Sequence, residues 1–240
     1  MRILVYILLF NLASLQAFGL DARDELRRIS KHYADAKGCS MKMTIAVFEK
    51  ADDAQPMTRF TGEMRRRSDA YYSSVMGQTT LINTNCQVIV DEAREVIYYD
   101  GRNNSQKKFK VPETDLGALL DSSLSAKNKM SFLAQSAERN SIELLIPSGL
   151  PAARTVIHYH PTSLVIQEIV YYYDQKDKEA MGKAVISYSN VQIGPEPDAS
   201  LFSEKQFIVK KSSQLLPAPK WNGYQVIDLT PELKTNTPTR

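Results

Sequence analysis

The run Met41-Lys42-Met43-Thr44-Ile45-Ala46-Val47-Phe48 decides the fold. Met41, Met43, Ile45 and Val47 occupy alternate positions, with Lys42, Thr44 and Ala46 between them. Successive side chains of a strand point to opposite faces, so a period of two marks a half-buried β-strand. The same signal returns in short runs. Residues 57–66 read as the return strand after a polar turn at 51–56, and Ser68-Asp69 break it. Residues 71–76, 79–83, 86–90 and 95–99 follow. Their links are Gly77, Thr84-Asn85 (Asn tolerates positive φ) and Asp91-Glu92-Ala93-Arg94. A succession of short strands with short polar links is a meander.

Upstream the period changes to 3.6. Over residues 21–37, Leu26, Ile29, Tyr33 and Ala36 fall on one face of a helix. Asp21, Asp24 and Glu25 suit its positive end, and Gly38 stands where a C′ glycine terminates helices. Earlier still, Met1-Arg2 gives a basic start, residues 3–15 are apolar apart from Asn11 and Ser14, and Ala17 and Gly19 are small. These features read as a signal peptide occupying residues 1–19, cleaved after Gly19. The apolar stretch falls short of the roughly 20 residues that span a bilayer, so export without membrane insertion is expected.

Downstream, residues 101–110 are polar and basic, with Lys107, Lys108 and Lys110. Pro112 opens a helix carrying Leu116, Leu119 and Leu120, and residues 127–140 read as helical or irregular, with Met130, Phe132 and Leu133. Strands return at 142–146, 155–159, 164–173, 183–193 and 224–229, and the Thr- and Pro-rich residues 230–240 read as a disordered tail. The expectation is one domain over residues 20–229, mainly β with some helix (α+β). Its large antiparallel sheet must curl, with helices covering one side. Such a curl encloses an apolar interior suited to a hydrophobic ligand. Met43, Ile45, Val47, Phe60, Tyr71, Val88 and Val90 are the candidates to line it.

Chemistry is sparse. With 30 basic and 27 acidic residues, the balance is too even for a nucleic-acid footprint. No nucleophile elbow, phosphate loop, dinucleotide glycine motif, Cys-x-x-Cys or His-Glu-x-x-His occurs, so no enzyme activity, cofactor or metal is expected. His158 and His160 share a strand face but lack a visible third ligand, and a polar strand edge is the better reading. Cys39 and Cys86 are an even pair that an oxidising compartment would bridge, or else two small buried hydrophobes. Arg65-Arg66-Arg67 is the prominent charge run, and on a strand Arg65 and Arg67 share one face while Arg66 takes the other. Tyr71-Tyr72, Tyr98-Tyr99 and Tyr171-Tyr172-Tyr173 alternate across sheet faces, either as ordinary packing or as the lining of a lipid pocket.

The order of signal, amphipathic helix, alternating strand, then Phe60-Thr61-Gly62-Glu63-Met64 leading to a basic run and paired tyrosines, resembles the periplasmic outer-membrane lipoprotein carriers (LolA/LolB-like). Thr84-Asn85 is similar to that family's Asp-Gly hairpin, and Pro197-Asp198-Ala199-Ser200-Leu201-Phe202 to its Asp-Ala-x-x-Phe ending. The pattern covers most of residues 21–208. It departs where Arg67-Ser68-Asp69 replaces an Arg-Pro pair, and residues 209–240 lie outside it. The resemblance implies an incomplete β-barrel whose helical lid, here Leu26, Ile29 and Tyr33, covers a cavity for acyl chains. It implies a monomeric carrier of acylated lipoproteins or another lipid, with partner proteins at the inner and outer membranes. An arginine latches the lid in that family; Arg66 alone or the Arg65/Arg67 pair is the candidate here, and Arg67 lies nearest the family's position. The alternative from another class is an envelope assembly or interaction factor that reuses the fold without a lipid.

Overall fold

The alternating run lies at the centre of the molecule. A computed structural model describes residues 21–68, 70–101, 120, 123–125, 128–146, 152–173, 181–212 and 214–230. The run belongs to β1 (Gly38–Phe48), flanked by β2 (Thr58–Arg67) and, far along the chain, β11 (Lys183–Ile193). The meander continues as β3 (Ala70–Val75), β4 (Gln78–Ile82), β5 (Cys86–Asp91) and β6 (Val96–Gly101). On the other side stand β7 (Lys129–Ala134), β8 (Asn140–Leu145), β9 (Ala152–Tyr159) and β10 (Ile166–Tyr173). With β14 (Gln225–Asp228) they form a twelve-stranded sheet in the order β14-β6-β5-β4-β3-β2-β1-β11-β10-β9-β8-β7. Neighbours are antiparallel except β14, which runs parallel to β6. β14 and β7 do not pair with each other, so the sheet is not closed. It is curved, with register shifts in β1, β7 and β10 of the kind that bend a strand.

Strand alternation divides the apolar residues between two cores. Tyr71 and Ile82 point to the inner face, where they join Met41, Met64, Ile142, Leu144, Ile157, Ile166 and Ile169. The single described α-helix, α1 (Ala22–Asp35), lays Leu26, Ile29 and Tyr33 onto that core. Burial of each such side chain contributes about 1.5–3 kcal/mol. Ala70 and Leu81 point the other way, with Cys86, Val88, Val90, Ile97 and Tyr99. The chain's later part covers this outer patch: Phe202, Phe207, Ile208, Ala218 and Trp221 pack on it. Trp221 stacks on Phe207 and meets Tyr224 edge-on, while its Nε1 donates to the Gln206 carbonyl at 3.0 Å.

Several expectations change. Val88 and Val90 do not line the interior; they lie in the outer core, because alternation says which residues share a face and not which face is inner. Cys39 and Cys86 are not bridged to each other. Cys39 belongs to the inner core and Cys86 to the outer one, and their strands stand four places apart, far beyond the roughly 7 Å that a disulfide tolerates between Cα atoms. The helix stops at Asp35 and Ala36 is already extended, so Gly38 is not its C′ residue. Gly38 instead opens β1, where a Cβ would sit 2.3 Å from the Pro195 carbonyl oxygen. Residues 129–134 form β7 rather than a helix, since Met130 and Phe132 follow the strand period. The turn before β5 rests on Asn83, whose Oδ1 accepts from the Asn85 and Cys86 amides at 2.8 and 2.9 Å. β12 (Ile208–Lys211) and β13 (Gln214–Pro217) form a hairpin that the sequence reading lacked. The signal segment, Leu116 and Leu119, Lys107, Lys108 and Lys110, and the tail from 231 lie outside the described residues. Among the described residues no helix is long and apolar enough to cross a membrane.

If the later chain is an integral cover, Trp221→Ala costs about 3–5 kcal/mol of unfolding free energy in urea titration. A loss under about 1 kcal/mol would show that residues 199–228 rest only loosely on the sheet.

Candidate functional site

The inner face is the place where the sequence-selected residues gather. In the register of β1 with β2, Cys39, Met41, Met43, Ile45 and Val47 stand opposite Arg66, Met64, Gly62, Phe60 and Thr58. Alternation therefore puts Arg66 on the same face as Met64 and Phe60, under α1, while Arg65 and Arg67 point outward.

Arg66 reaches the end of the helix. Its Nη2 donates to the carbonyl oxygens of Tyr33 and Ala36, the latter at 3.3 Å. Carbonyls of a last helical turn lack partners within the helix, so a guanidinium placed there satisfies them and opposes the negative end of the dipole. Arg67, favoured by family position, does something else: it pairs with Glu196 at 3.2 Å on the outer side. Arg65 pairs with Glu63 at 2.7 Å and lies over the Tyr72 ring. The arginine in contact with the helix is thus Arg66, and the leaning to Arg67 is corrected by the strand's parity.

Other bonds fasten the remainder of α1. Asp21 caps its start, its side chain accepting from the Arg23 amide at 2.9 Å. The Arg23 guanidinium donates to the carbonyls of Leu124, Ser125 and Asn128. Glu25 is only 2% exposed. Its Oε1 accepts from the Tyr159 hydroxyl at 2.9 Å and pairs with Arg28 at 2.8 Å, while Oε2 has no partner. The Tyr33 hydroxyl accepts from the Ile166 amide at 3.0 Å, and burial pushes its pKa well above the usual tyrosine range.

Beyond the helix the inner face stays apolar but is less covered. Ile45 stands between Phe60 and Ile186, Met43 between Gly62 and Tyr188, and Val75 follows Gly62 on β3. Ile45, Val47, Phe60, Val75 and Ile186 are half-buried. Gly62 lets β3 approach: a Cβ there would sit 2.8 Å from Val75 Cβ. Between the two regions lie Tyr71, Tyr171 and Tyr188. Burial, with Tyr171, Tyr33 and Tyr71 close by, pushes the Tyr188 hydroxyl pKa far up. Thr155, 4% exposed, shares this face between Leu144 and Tyr171, and its Oγ1 has no hydrogen-bond partner.

Sequence reasoning missed Glu25, Thr155 and Tyr188 as members of this face. For Thr155 and Tyr188 the signal was the alternation of β9 and β11, readable only once the partners of those strands are known; for Glu25 it was its helical spacing from Ile29 and Tyr33. Among the described residues no three potential metal ligands cluster. His158 lies on the outer side, bonded to Ser141 at 2.7 Å, and the His160 ring accepts from the amides of the turn it precedes.

No protein-family model matches the chain, and no curated protein matches its sequence. Among solved structures, it is similar to an uncharacterised conserved protein from Thermus thermophilus, at 6% identity and TM-score 0.50, over 86% of this chain and 98% of that one. A LolA superfamily protein from Nitrosomonas europaea matches at 10% identity and TM-score 0.34, over 77% of this chain and 98% of that one. An outer membrane lipoprotein-sorting protein domain from Vibrio parahaemolyticus matches at 10% identity and TM-score 0.33, over 76% and 96%. LolA-like proteins are thus among the structural neighbours, the family whose pattern the sequence resembles.

Arg66→Leu should release the end of α1 and speed amide exchange of residues 29–35 about tenfold or more, since charge-assisted hydrogen bonds are worth about 1.5–3 kcal/mol each. Arg67→Leu breaks a pair partly exposed on both sides, worth under about 1 kcal/mol, and should leave α1 nearly unchanged. Equal effects of the two variants would remove the special place given to Arg66.

Proposed function

We propose that this protein is a non-enzymatic carrier. It holds the acyl chains of a lipid-modified protein, or another lipid, against the inner face of its sheet in the periplasm to which it is exported. In this reading the sheet is an incomplete barrel and α1 is its lid. One observation carries it: beside a helix clipped by Arg66, the inner face continues as a half-buried apolar band of Ile45, Val47, Phe60, Val75 and Ile186. An acyl chain laid on such a band leaves water, which gains about 0.8 kcal/mol per CH₂. Its bonds stay intact throughout, so the mechanism asks for shape and for a lid that can open. Release follows when a partner at the destination membrane offers deeper burial.

A second reading has its own observation. Around α1 the inner face is filled by protein side chains, Leu26 and Ile29 being fully buried there. A fold so filled could serve envelope assembly through protein contacts alone.

Native mass spectrometry of protein purified from its envelope fraction decides between them: co-purified lipid or lipopeptide is expected. Phe60→Asp, with unchanged circular dichroism, should weaken binding of a fluorescent palmitoylated peptide about tenfold or more, because a carboxylate on an apolar band opposes acyl burial. Binding like the parent's would move the ligand away from the inner face. A parent that never binds lipid ends the carrier reading in favour of protein contacts.

A further inference from the structure

Among the described residues, the β12–β13 hairpin is hydrogen-bonded to no strand of the large sheet. Ile208 and Ala218 root it in the outer core. On its other face Val209 stands opposite Leu216, and the two are 45% and 40% exposed. A directly opposed pair of aliphatic side chains is therefore left in water on a projecting element. Beside it lies a cleft of about 300 Å³ lined by Glu204, Lys205, Ile208, Val209 and Lys210. Residues 204–220 carry four exposed lysines, Lys205, Lys210, Lys211 and Lys220, against the single acid Glu204. Lys210 and Lys220 lie over the rings of Tyr99 and Trp221, at 5.1 and 4.7 Å from the centroids.

We infer that this hairpin docks the protein on the surface of an anionic bilayer, Val209 and Leu216 entering the headgroup region with Lys211, which shares their face of the hairpin, on lipid phosphates, and the other exposed lysines adding to the local positive charge. The composition favours a membrane over a protein partner. Protein interfaces are enriched in arginine and aromatic residues and depleted in lysine. This segment has no arginine, and its Phe207 and the adjoining Trp221 are turned into the core. Lysines on flexible stems suit a diffuse layer of phosphates, which asks for charge and not for a fixed fork geometry. Apolar insertion and electrostatic attraction reinforce each other at such a surface. The hairpin lies on the opposite side of the sheet from the inner face, so docking does not depend on lipid being carried there.

Sedimentation with vesicles tests it. The parent should pellet with phosphatidylcholine vesicles containing about one-third phosphatidylglycerol, and stay in solution with pure phosphatidylcholine vesicles or at high salt. Lys211→Glu should lower partitioning at least about fivefold, the factor expected for one surface charge. The double variant Val209→Ser, Leu216→Ser should also lower it at least about fivefold. Trp221 fluorescence reports whether each variant keeps its fold. Labelled vesicle lipid found in the supernatant with the protein reports on the inner face and is scored separately. Equal pelleting on both vesicle types, unchanged partitioning of the folded variants, or a parent that stays in solution overturns the proposal. Binding to an acidic protein without binding to vesicles overturns it as well.

Discussion

Everything in this molecule follows from one constraint: a strand turns its side chains alternately to two faces, and β3, β4 and β5 carry apolar residues that between them occupy both. A sheet with one wet face needs a single cover. This one needs two, because Tyr71 and Ile82 on one side and Leu81, Val88 and Val90 on the other are all buried. α1 supplies the inner cover and residues 199–228 the outer. The covers differ in how they are held. The outer one is welded by aromatic packing around Trp221, by a hydrogen bond from Asn83 Nδ2 to the Phe202 carbonyl, and by the parallel strand β14. The inner one is held at its two ends by Arg23 and Arg66, and between them by the burial of Leu26, Ile29 and Tyr33.

That difference bears on which cover can move. Lifting α1 would expose Leu26, Ile29 and Tyr33 as well as break the polar contacts at its ends, whereas lifting the outer cover would also unpair β14 from β6. The buried Glu25 is incompletely paired: one carboxylate oxygen is bonded to Tyr159 and the other has no partner, an arrangement that stabilises the packed helix less than full pairing would. The half-buried apolar band begins beside the inner cover.

Much of this was legible from the residues. The alternation from Met41 to Val47 identified the central strand, and the stripe of Leu26, Ile29 and Tyr33 identified the helix that covers it. Parity alone separated Arg66 from its neighbours. What parity could not supply was sign: Val88 and Val90 share a face unambiguously, but only the pairing partners and the later chain reveal that the face is the outer one. The same gap left a Cys39–Cys86 bridge open. β7 was hidden because Met130, Phe132 and Leu133 satisfy a helical stripe nearly as well as a strand. The hairpin at 208–217 was hidden because its four-residue strands are too short to show a period. Glu25 and Thr155 are ordinary residues in ordinary patterns until their neighbours are known.

The pairing of β1 with β11 has a consequence in time as well as in space. Met43 is partnered on one side by Gly62, nineteen residues on, and on the other by Tyr188. A chain made from its N-terminus can therefore close the β1–β2 hairpin early but must leave the opposite rim of β1 open until residues 183–193 have been synthesised. Contacts of such long range close slowly, since loop entropy is lost before any contact compensates it. During that interval β1 is an apolar strand with one exposed edge, the kind of surface to which other strands add. Lys42, Thr44 and Lys50, along and just after it, are residues of the polar kind that discourages such addition.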